Sequence, residues 1–249
     1  MIEGNRSMPD PVNGFTDQDI RDFDERVQAV LGNDDPTEYT SEPKINGVSV
    51  ELVYKNGALT IAFTRDHSQG GEYITANLKT LLTVPLSLDQ IDENCSIPAL
   101  LDVRGMVYME FEAFQALNLH RMEKALFPFK SPADAVADSI RQPNPRITAK
   151  RKLNMFCSGI AKYDGPPFET EMESMIMLQK WGLRVNKPHL RLCPTAEKVI
   201  QYCHHLKEIR TQFPFKVDGA LIKINRLSQQ KKLLYGKRLP GCEIVYNFK

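Results

Sequence analysis

From Thr16 the chain reads Thr-Asp-Gln-Asp and then places Ile20, Phe23, Val27, Val30 and Leu31 at helical spacing until Gly32. A threonine with an aspartate three residues on resembles a capping box, and a glycine after the last apolar position is a stop signal. The pattern therefore predicts an acidic amphipathic helix. The period then changes. Residues 48–54 and 59–64 are rich in β-branched and aromatic side chains, and Lys55-Asn56-Gly57 between them supplies the Asn-Gly pair of a tight hairpin turn. Lys44-Ile45-Asn46-Gly47 sits at the mouth of that hairpin.

Farther along, the pattern predicts a strand over 100–108 and a short helix over 111–119. Residues 130–150 carry three prolines and read as loop, broken by a helix around 133–140. Helices follow over 170–181, stopped by Gly182, and over 195–210, where Val199, Tyr202, Leu206 and Ile209 share a face. Strands over 217–224 and 242–248 close the chain. With a hairpin and no repeating β-α-β unit, the expected class is α+β with antiparallel sheets flanked by helices. Residues 1–15 are expected to be an N-terminal arm and residues 16–249 one domain.

Composition narrows the class of function. The 249 residues carry 32 Lys plus Arg against 31 Asp plus Glu. Residues 1–43 hold 11 acidic and 3 basic groups, which leaves a body of net charge +9. A moderately basic body suits nucleotide or nucleic-acid ligands and equally an ordinary solvated surface. The acidic helix offers a surface for a protein partner. Five cysteines, widely spaced and without a C-x-x-C pair, argue against a zinc ribbon or a disulfide framework. No apolar run reaches the ~18 residues of a membrane span, and the polar start has no signal-peptide core. The expectation is a cytoplasmic protein without a membrane anchor.

The most suggestive chemistry lies in Glu42-Pro43-Lys44-Ile45-Asn46-Gly47. A lysine at a loop-to-strand junction acts as a nucleophile when burial or nearby cations favour its neutral form; the same lysine beside a turn is otherwise a solvated side chain. His204 and His205 are adjacent and so point to different helix faces, a poor pair of metal ligands. His67 lies in Thr64-Arg65-Asp66-His67-Ser68. The methionines at 172, 175 and 177 read as core.

Several long segments change the weight of that lysine. Glu42-Pro43-Lys44-Ile45-Asn46-Gly47, residues 64–77, Asp102-Val103-Arg104-Gly105-Met106-Val107-Tyr108-Met109, residues 139–150, residues 213–223 and Glu243-Ile244-Val245-Tyr246-Asn247-Phe248 stand in one order. Together, from about Phe15 to Phe248, the chain resembles the adenylation (nucleotidyltransferase) domain of bacterial NAD+-dependent DNA ligases. The resemblance implies that a lysine attacks the α-phosphate of NAD+, expels nicotinamide mononucleotide and holds AMP as a phosphoramidate. The AMP then passes to a DNA 5′-phosphate for nick sealing in replication and repair. Lys44 matches the AMP-accepting nucleophile, Glu42 the carboxylate at the adenine, Arg65 an arginine beside nucleotide and nick, and Lys223 a lysine near the α-phosphate. Gly47, Arg141, Arg210 and Asp218 match further cofactor-binding positions. The implied ligands are NAD+ or AMP, with Mg²⁺ if the reaction runs, and nicked DNA held weakly. No resident metal is implied.

Departures from the family pattern accompany these matches. Asn46 stands where the pattern has aspartate, Met106 where it has glutamate, Ala133 where it has arginine, Ser158 where it has an adenine-stacking tyrosine, and Asn247 where it has a lysine. These five positions are expected to share one cleft, and strand periodicity offers Lys249 as a substitute for the missing lysine. The resemblance also implies an upstream helical domain that grips the nicotinamide mononucleotide half, and downstream an oligonucleotide-binding barrel, a four-cysteine zinc module and helix-hairpin-helix repeats. Without them, efficient nick sealing is not expected. The reading that follows is a degenerate adenylation domain that binds an adenine nucleotide with weak or no lysyl-AMP formation. An active domain forming AMP on Lys44, and a non-catalytic interaction module using the acidic helix, remain as alternatives.

Overall fold

The computed structural model describes residues 11–32, 36–65, 71–90, 96–234 and 241–249. The chain opens with strand β1 (Val12–Gly14) and helix α1 (Asp17–Leu31). The capping box forms as expected: the Asp19 amide donates to the Thr16 hydroxyl at 3.3 Å, and the Asp19 carboxylate accepts from the Thr16 and Phe15 amides at 2.8 Å each. Two amides of the free helix end are thereby satisfied. Ile20, Phe23 and Val27 turn inward.

Three strands follow, β2 (Tyr39–Ile45), β3 (Val48–Lys55) and β4 (Ala58–Thr64). The β3–β4 hairpin closes through Asn56 and Gly57, both at positive φ (48° and 79°), the backbone that its Asn-Gly pair allows. After α2 (Thr75–Leu78) come β5 (Leu100–Met109), α3 (Phe111–Glu123), α4 (Pro132–Ile140), α5 (Pro145–Ala149) and β6 (Leu153–Tyr163). The remainder runs α6 (Glu171–Lys180), β7 (Arg191–Cys193), α7 (Ala196–Ile209), β8 (Val217–Ile224), α8 (Leu227–Leu234) and β9 (Glu243–Asn247).

The described strands make two sheets, ordered β1-β9-β8-β2-β7 and β4-β3-β5-β6. The fold is α+β as expected, and its sheets are antiparallel except that β1 runs parallel to β9, with Val12 opposite Ile244 and Gly14 opposite Tyr246. Part of the expected arm is thus stitched into the first sheet. Each sheet has its own core. In the first, Ile222, Ile224 and Ile244 pack on α1 and α7 through Phe23, Val27, Val199 and Leu206. In the second, Val50, Leu52, Leu101 and Val103 pack with Val136, Ile140, Leu178 and Trp181. Met175 is in this core and Met177 packs against it.

The sheets meet at aromatic contacts. Tyr108 of β5 stacks on Phe156 of β6 with centroids 5.3 Å apart, and both rings touch Phe215 at 4.7 and 6.1 Å. Such pairs add specificity of geometry to the area they bury. The shortest covalent link between the sheets among the described strands is Asn46-Gly47, where β2 of one hands over to β3 of the other. A side chain at Gly47 would place its Cβ 2.1 Å from the Val107 carbonyl oxygen of β5. Gly47→Ala is therefore expected to lower stability by about 1–3 kcal/mol, seen as a lower midpoint in denaturant with unchanged m-value; an unchanged midpoint would show that β5 yields at no cost.

Candidate active site

Glu42 and Lys44 project from β2, whose partners are β8 along the whole strand and β7 only over Tyr39–Ser41. Pro43 is tolerated because it lies beyond the end of β7, where no ladder bond needs its missing amide. A register shift between Lys44 and Ile45 opposite β8 bends the strand at the lysine. Between the two sheets lies a cavity of about 320 Å³, at the small end of the range for ligand pockets. β2 contributes Glu42 and Lys44 to it, β5 Arg104 and Met106, β6 Phe156 to Ile160, and β8 and β9 Lys223, Glu243 and Val245. Arg65, Glu171 of α6, Gln230 of α8 and Pro11 complete much of the wall.

Lys44, Arg65 and Arg104 supply cations to the wall; the two guanidinium Nε atoms lie 3.9 and 3.8 Å from the buried Glu51 carboxylate, and both guanidiniums also act on Glu243. On the floor, Lys223 is 6% exposed and its Nζ donates to Glu171 Oε1 at 2.9 Å and to the Ser158 carbonyl oxygen, with Glu42 Oε1 at 3.7 Å. Burial acts to lower the Lys223 pKa, but Glu171 and Glu42 overcome it and hold the ammonium above the usual lysine range. Burial pushes Glu42 up to about 7, against the pull of Lys223 and with the help of Glu171 and Glu243. Burial raises Glu243 as well. One ammonium faces three carboxylates, so Glu42 gains its proton well above the usual carboxylate range.

Lys44 Nζ donates to Asn247 Oδ1 at 2.7 Å. The orientation of that amide is set from behind, because Asn247 Nδ2 faces three acceptors, Asn13 Oδ1 at 3.1 Å and the carbonyls of Gly14 and Val245 at 3.4 Å. The parallel strand β1 thus fixes which atom the lysine meets. Asn46 Nδ2 donates to Asp218 Oδ2 at 2.6 Å, and Lys216 Nζ stands 3.4 Å from Asp218 Oδ1. An amide at position 46 satisfies Asp218, whereas a carboxylate there would repel it.

Of the sequence-predicted residues, Glu42, Lys44, Arg65 and Lys223 line one cavity, and Gly47, Asp218, Arg141 and Arg210 do not. Arg141 pairs with Glu72, and the Arg210 guanidinium stands 5.9 Å from the Phe248 ring centroid. The expectation of five departures in one cleft is corrected: Met106 and Ser158 line the cavity, Asn247 bonds Lys44, and Asn46 and Ala133 lie outside the wall. Lys249 does not replace the missing lysine. β9 ends at Asn247, and Lys249 is exposed and close enough to Asp19 to help hold that carboxyl below its usual range. His67 lies outside the described residues, and His204 bonds Asp17 at 2.9 Å. The aspartates of α1 have partners within the chain: besides Asp17 and Asp19, Asp22 accepts from Gln18 at 2.7 Å and Asp24 from the Tyr39 hydroxyl. Arg104, Glu171 and Glu243 were missed; Arg104 and Glu243 stand inside segments that carry the family resemblance, whereas no local pattern separates Glu171 from other helix-start residues. Among the described residues no group of three His, Cys, Asp or Glu could hold a metal ion. No helix there is long and apolar enough to cross a membrane.

A primary amine and two guanidiniums facing a cavity with a carboxylate-lined floor suit a ligand with an anionic end and a hydrogen-bonding base. Residues 4–249 match the family described as the NAD-dependent DNA ligase adenylation domain. The chain belongs to this family. Similar curated proteins include the DNA ligase of Syntrophotalea carbinolica, 38% identical over 247 residues, covering 99% of this chain and 36% of that protein. The DNA ligase of Citrifermentans bemidjiense is 40% identical over 238 residues (95% and 35%), and that of Thermodesulfovibrio yellowstonii 38% over 236 (95% and 35%). This adenylation domain thus spans about a third of the length of these relatives.

The Glu42 carboxyl generates a pH prediction for the domain. Its folded pKa of about 7 lies above its ordinary value of 4.5, so between those values the folded state binds more protons than the unfolded. Its stabilising contribution is complete below pH 4.5 and is lost as pH rises through 7. Relative to wild type, Glu42→Gln should show a flatter fall in Tm across that interval, by a few degrees. Parallel Tm curves for the two proteins would contradict the assignment.

Proposed function

We propose that this domain binds an adenine nucleotide in the cleft between its sheets, with the phosphate toward Lys44, Arg65 and Arg104 and the base toward Glu42, and that AMP transfer to Lys44 is strongly reduced. The observation that carries this reading is the bond from Lys44 Nζ to Asn247 Oδ1 at 2.7 Å. The neighbour of the attacking amine is a neutral acceptor, at a position where the family resemblance implies a cation. An amide holds the amine in place and supplies no positive charge to the phosphorus as oxygen charge builds up. Met106 in the same wall likewise supplies no carboxylate.

In the reaction the resemblance implies, the Lys44 amine forms a bond to the α-phosphorus while the bond to the pyrophosphate-bridging oxygen breaks, and nicotinamide mononucleotide leaves with that electron pair. The amine must be neutral to attack and loses a proton on forming the phosphoramidate. Arg65 and Arg104, fixed by Glu51, neutralise charge on the non-bridging oxygens. One lost preorganised charge contact costs ~10²–10³ in rate, and such losses are not additive. Binding therefore survives changes that depress chemistry. NAD+ as donor and nicked DNA as acceptor belong to this same reading, which rests for them on the family alone.

Titration with AMP should show saturable binding to the wild type. Intact mass after incubation with NAD+ and Mg²⁺ should show at most a trace of added AMP, absent in Lys44→Ala. Met106→Glu combined with Asn247→Lys should raise the adduct yield by about tenfold or more. Full adenylation of the wild type would overturn the reduced-chemistry reading, and failure of a folded wild type to bind AMP would overturn the reading altogether.

A further inference from the structure

A second cavity, of about 380 Å³, opens beside α6 and shares no described wall residue with the cleft between the sheets. Much of its wall is aromatic. Tyr163, the last residue of β6, stacks on Phe168 with centroids 4.9 Å apart and planes 24° from parallel, and the two rings meet Trp181 at 5.6 and 6.4 Å. The loop from β6 to α6 is shaped around this cluster. A side chain at Gly165 would place its Cβ 2.2 Å from the Tyr163 hydroxyl, and Pro166-Pro167 restrict the backbone that presents Phe168. Trp181 is 1% exposed and its indole N–H donates to the Ser96 carbonyl at 3.2 Å, so it forms a fixed back wall.

The charge on this wall has one sign. Glu169 and Glu173 line it, and among the described residues no lysine, arginine or histidine does. Glu173 is held in place by the helix start: its Oε2 accepts from the amides of Glu169 and Thr170 at 2.9 and 3.2 Å. Neither carboxylate forms an ion pair within the described residues. Electron-rich rings and unneutralised carboxylates both favour a cation and disfavour an anion. A bare metal ion finds few oxygens here, whereas an organic cation with an apolar surface matches carboxylates and rings together.

We propose that this cavity binds an alkylammonium group, supplied by a free small amine or by a lysine side chain of another protein. The charged nitrogen sits toward Glu169 and Glu173, and its carbon substituents lie against Tyr163 and Phe168. The site is independent of the nucleotide reading, with which it shares no residue.

Trp181 is the one tryptophan of the chain, so its emission reports from the cavity wall. The full chain is titrated at constant ionic strength with choline, with a capped Gly-Lys-Gly peptide, and with 3,3-dimethyl-1-butanol, the neutral carbon analogue of choline, and binding is read by Trp181 emission and by calorimetry. Saturable binding of at least one cation is expected, the tighter of the two identifying the source, with the neutral analogue about tenfold weaker than choline. Glu169→Gln/Glu173→Gln removes the charge while glutamine preserves the capping box, and Phe168→Leu removes the ring; each should weaken cation binding about tenfold. The two glutamates are exposed, so the double glutamine variant decides the matter if Phe168→Leu does not fold. No saturable binding of either cation would overturn the proposal. Equal binding of the neutral analogue would do so too, reducing the site to an apolar hollow, as would wild-type affinity in the folded double glutamine variant.

Discussion

The Lys223 ammonium is the constraint on which the site depends. Placing a charge at 6% exposure is costly unless it is both paired and hydrogen-bonded. The partners come from different elements: Glu171 from α6, the Ser158 carbonyl from β6 of one sheet and Glu42 from β2 of the other. Removing any of them leaves a buried charge short of a partner, so the two sheets and α6 are held in one relative position. The floor of the cavity is the by-product of that requirement. Burial, with Glu171 and Glu243 close by, pushes the Glu42 carboxyl up to about 7 against the pull of Lys223.

Above that floor the cleft is arranged by strands rather than loops. Lys44 follows a register shift in β2, and its bonding partner Asn247 is oriented by β1, which enters the sheet parallel to β9. Arg65 and Arg104 share the buried Glu51. Cations anchored in this way lose little freedom when an anion binds. At the wall Asn247 offers Lys44 a neutral amide oxygen and Met106 a thioether. Lys249, two residues past Asn247 in sequence, lies beyond the strand end and near Asp19.

Much of the fold was legible in the pattern. The capping box at Thr16, the Asn56-Gly57 turn, and the helices ending at Gly182 and Arg210 are each set by chemistry within a few residues. β2 was not legible as a strand, because Thr40-Ser41-Glu42-Pro43-Lys44 has neither alternation nor β-branched density; it is a strand because β8 and β7 flank it. β6, α8 and the insertion of residues 12–14 into the sheet were missed as well. Within the site, Lys44, Glu42, Arg65 and Lys223 were found through family resemblance. Gly47 carried a misleading signal: it belongs to the lysine motif, but the Val107 carbonyl at 2.1 Å from any added Cβ gives it a steric role.

The sequence by itself determined the local elements, the α+β class, the family, and the identity of the amine that faces the cleft, because each is encoded in contiguous residues or ordered motifs. Only the tertiary structure decided which charges meet. Glu42, Glu171, Lys223 and Glu243 are far apart along the chain and carry no shared period, so their assembly depends on strand register and on the crossing of two sheets. A lysine's meaning depends on what occupies its donors, and that is a fact of three-dimensional packing. Lys44 and Lys223 look alike in sequence, yet one meets a neutral amide at the end of β9 and the other is fastened to the floor by carboxylates.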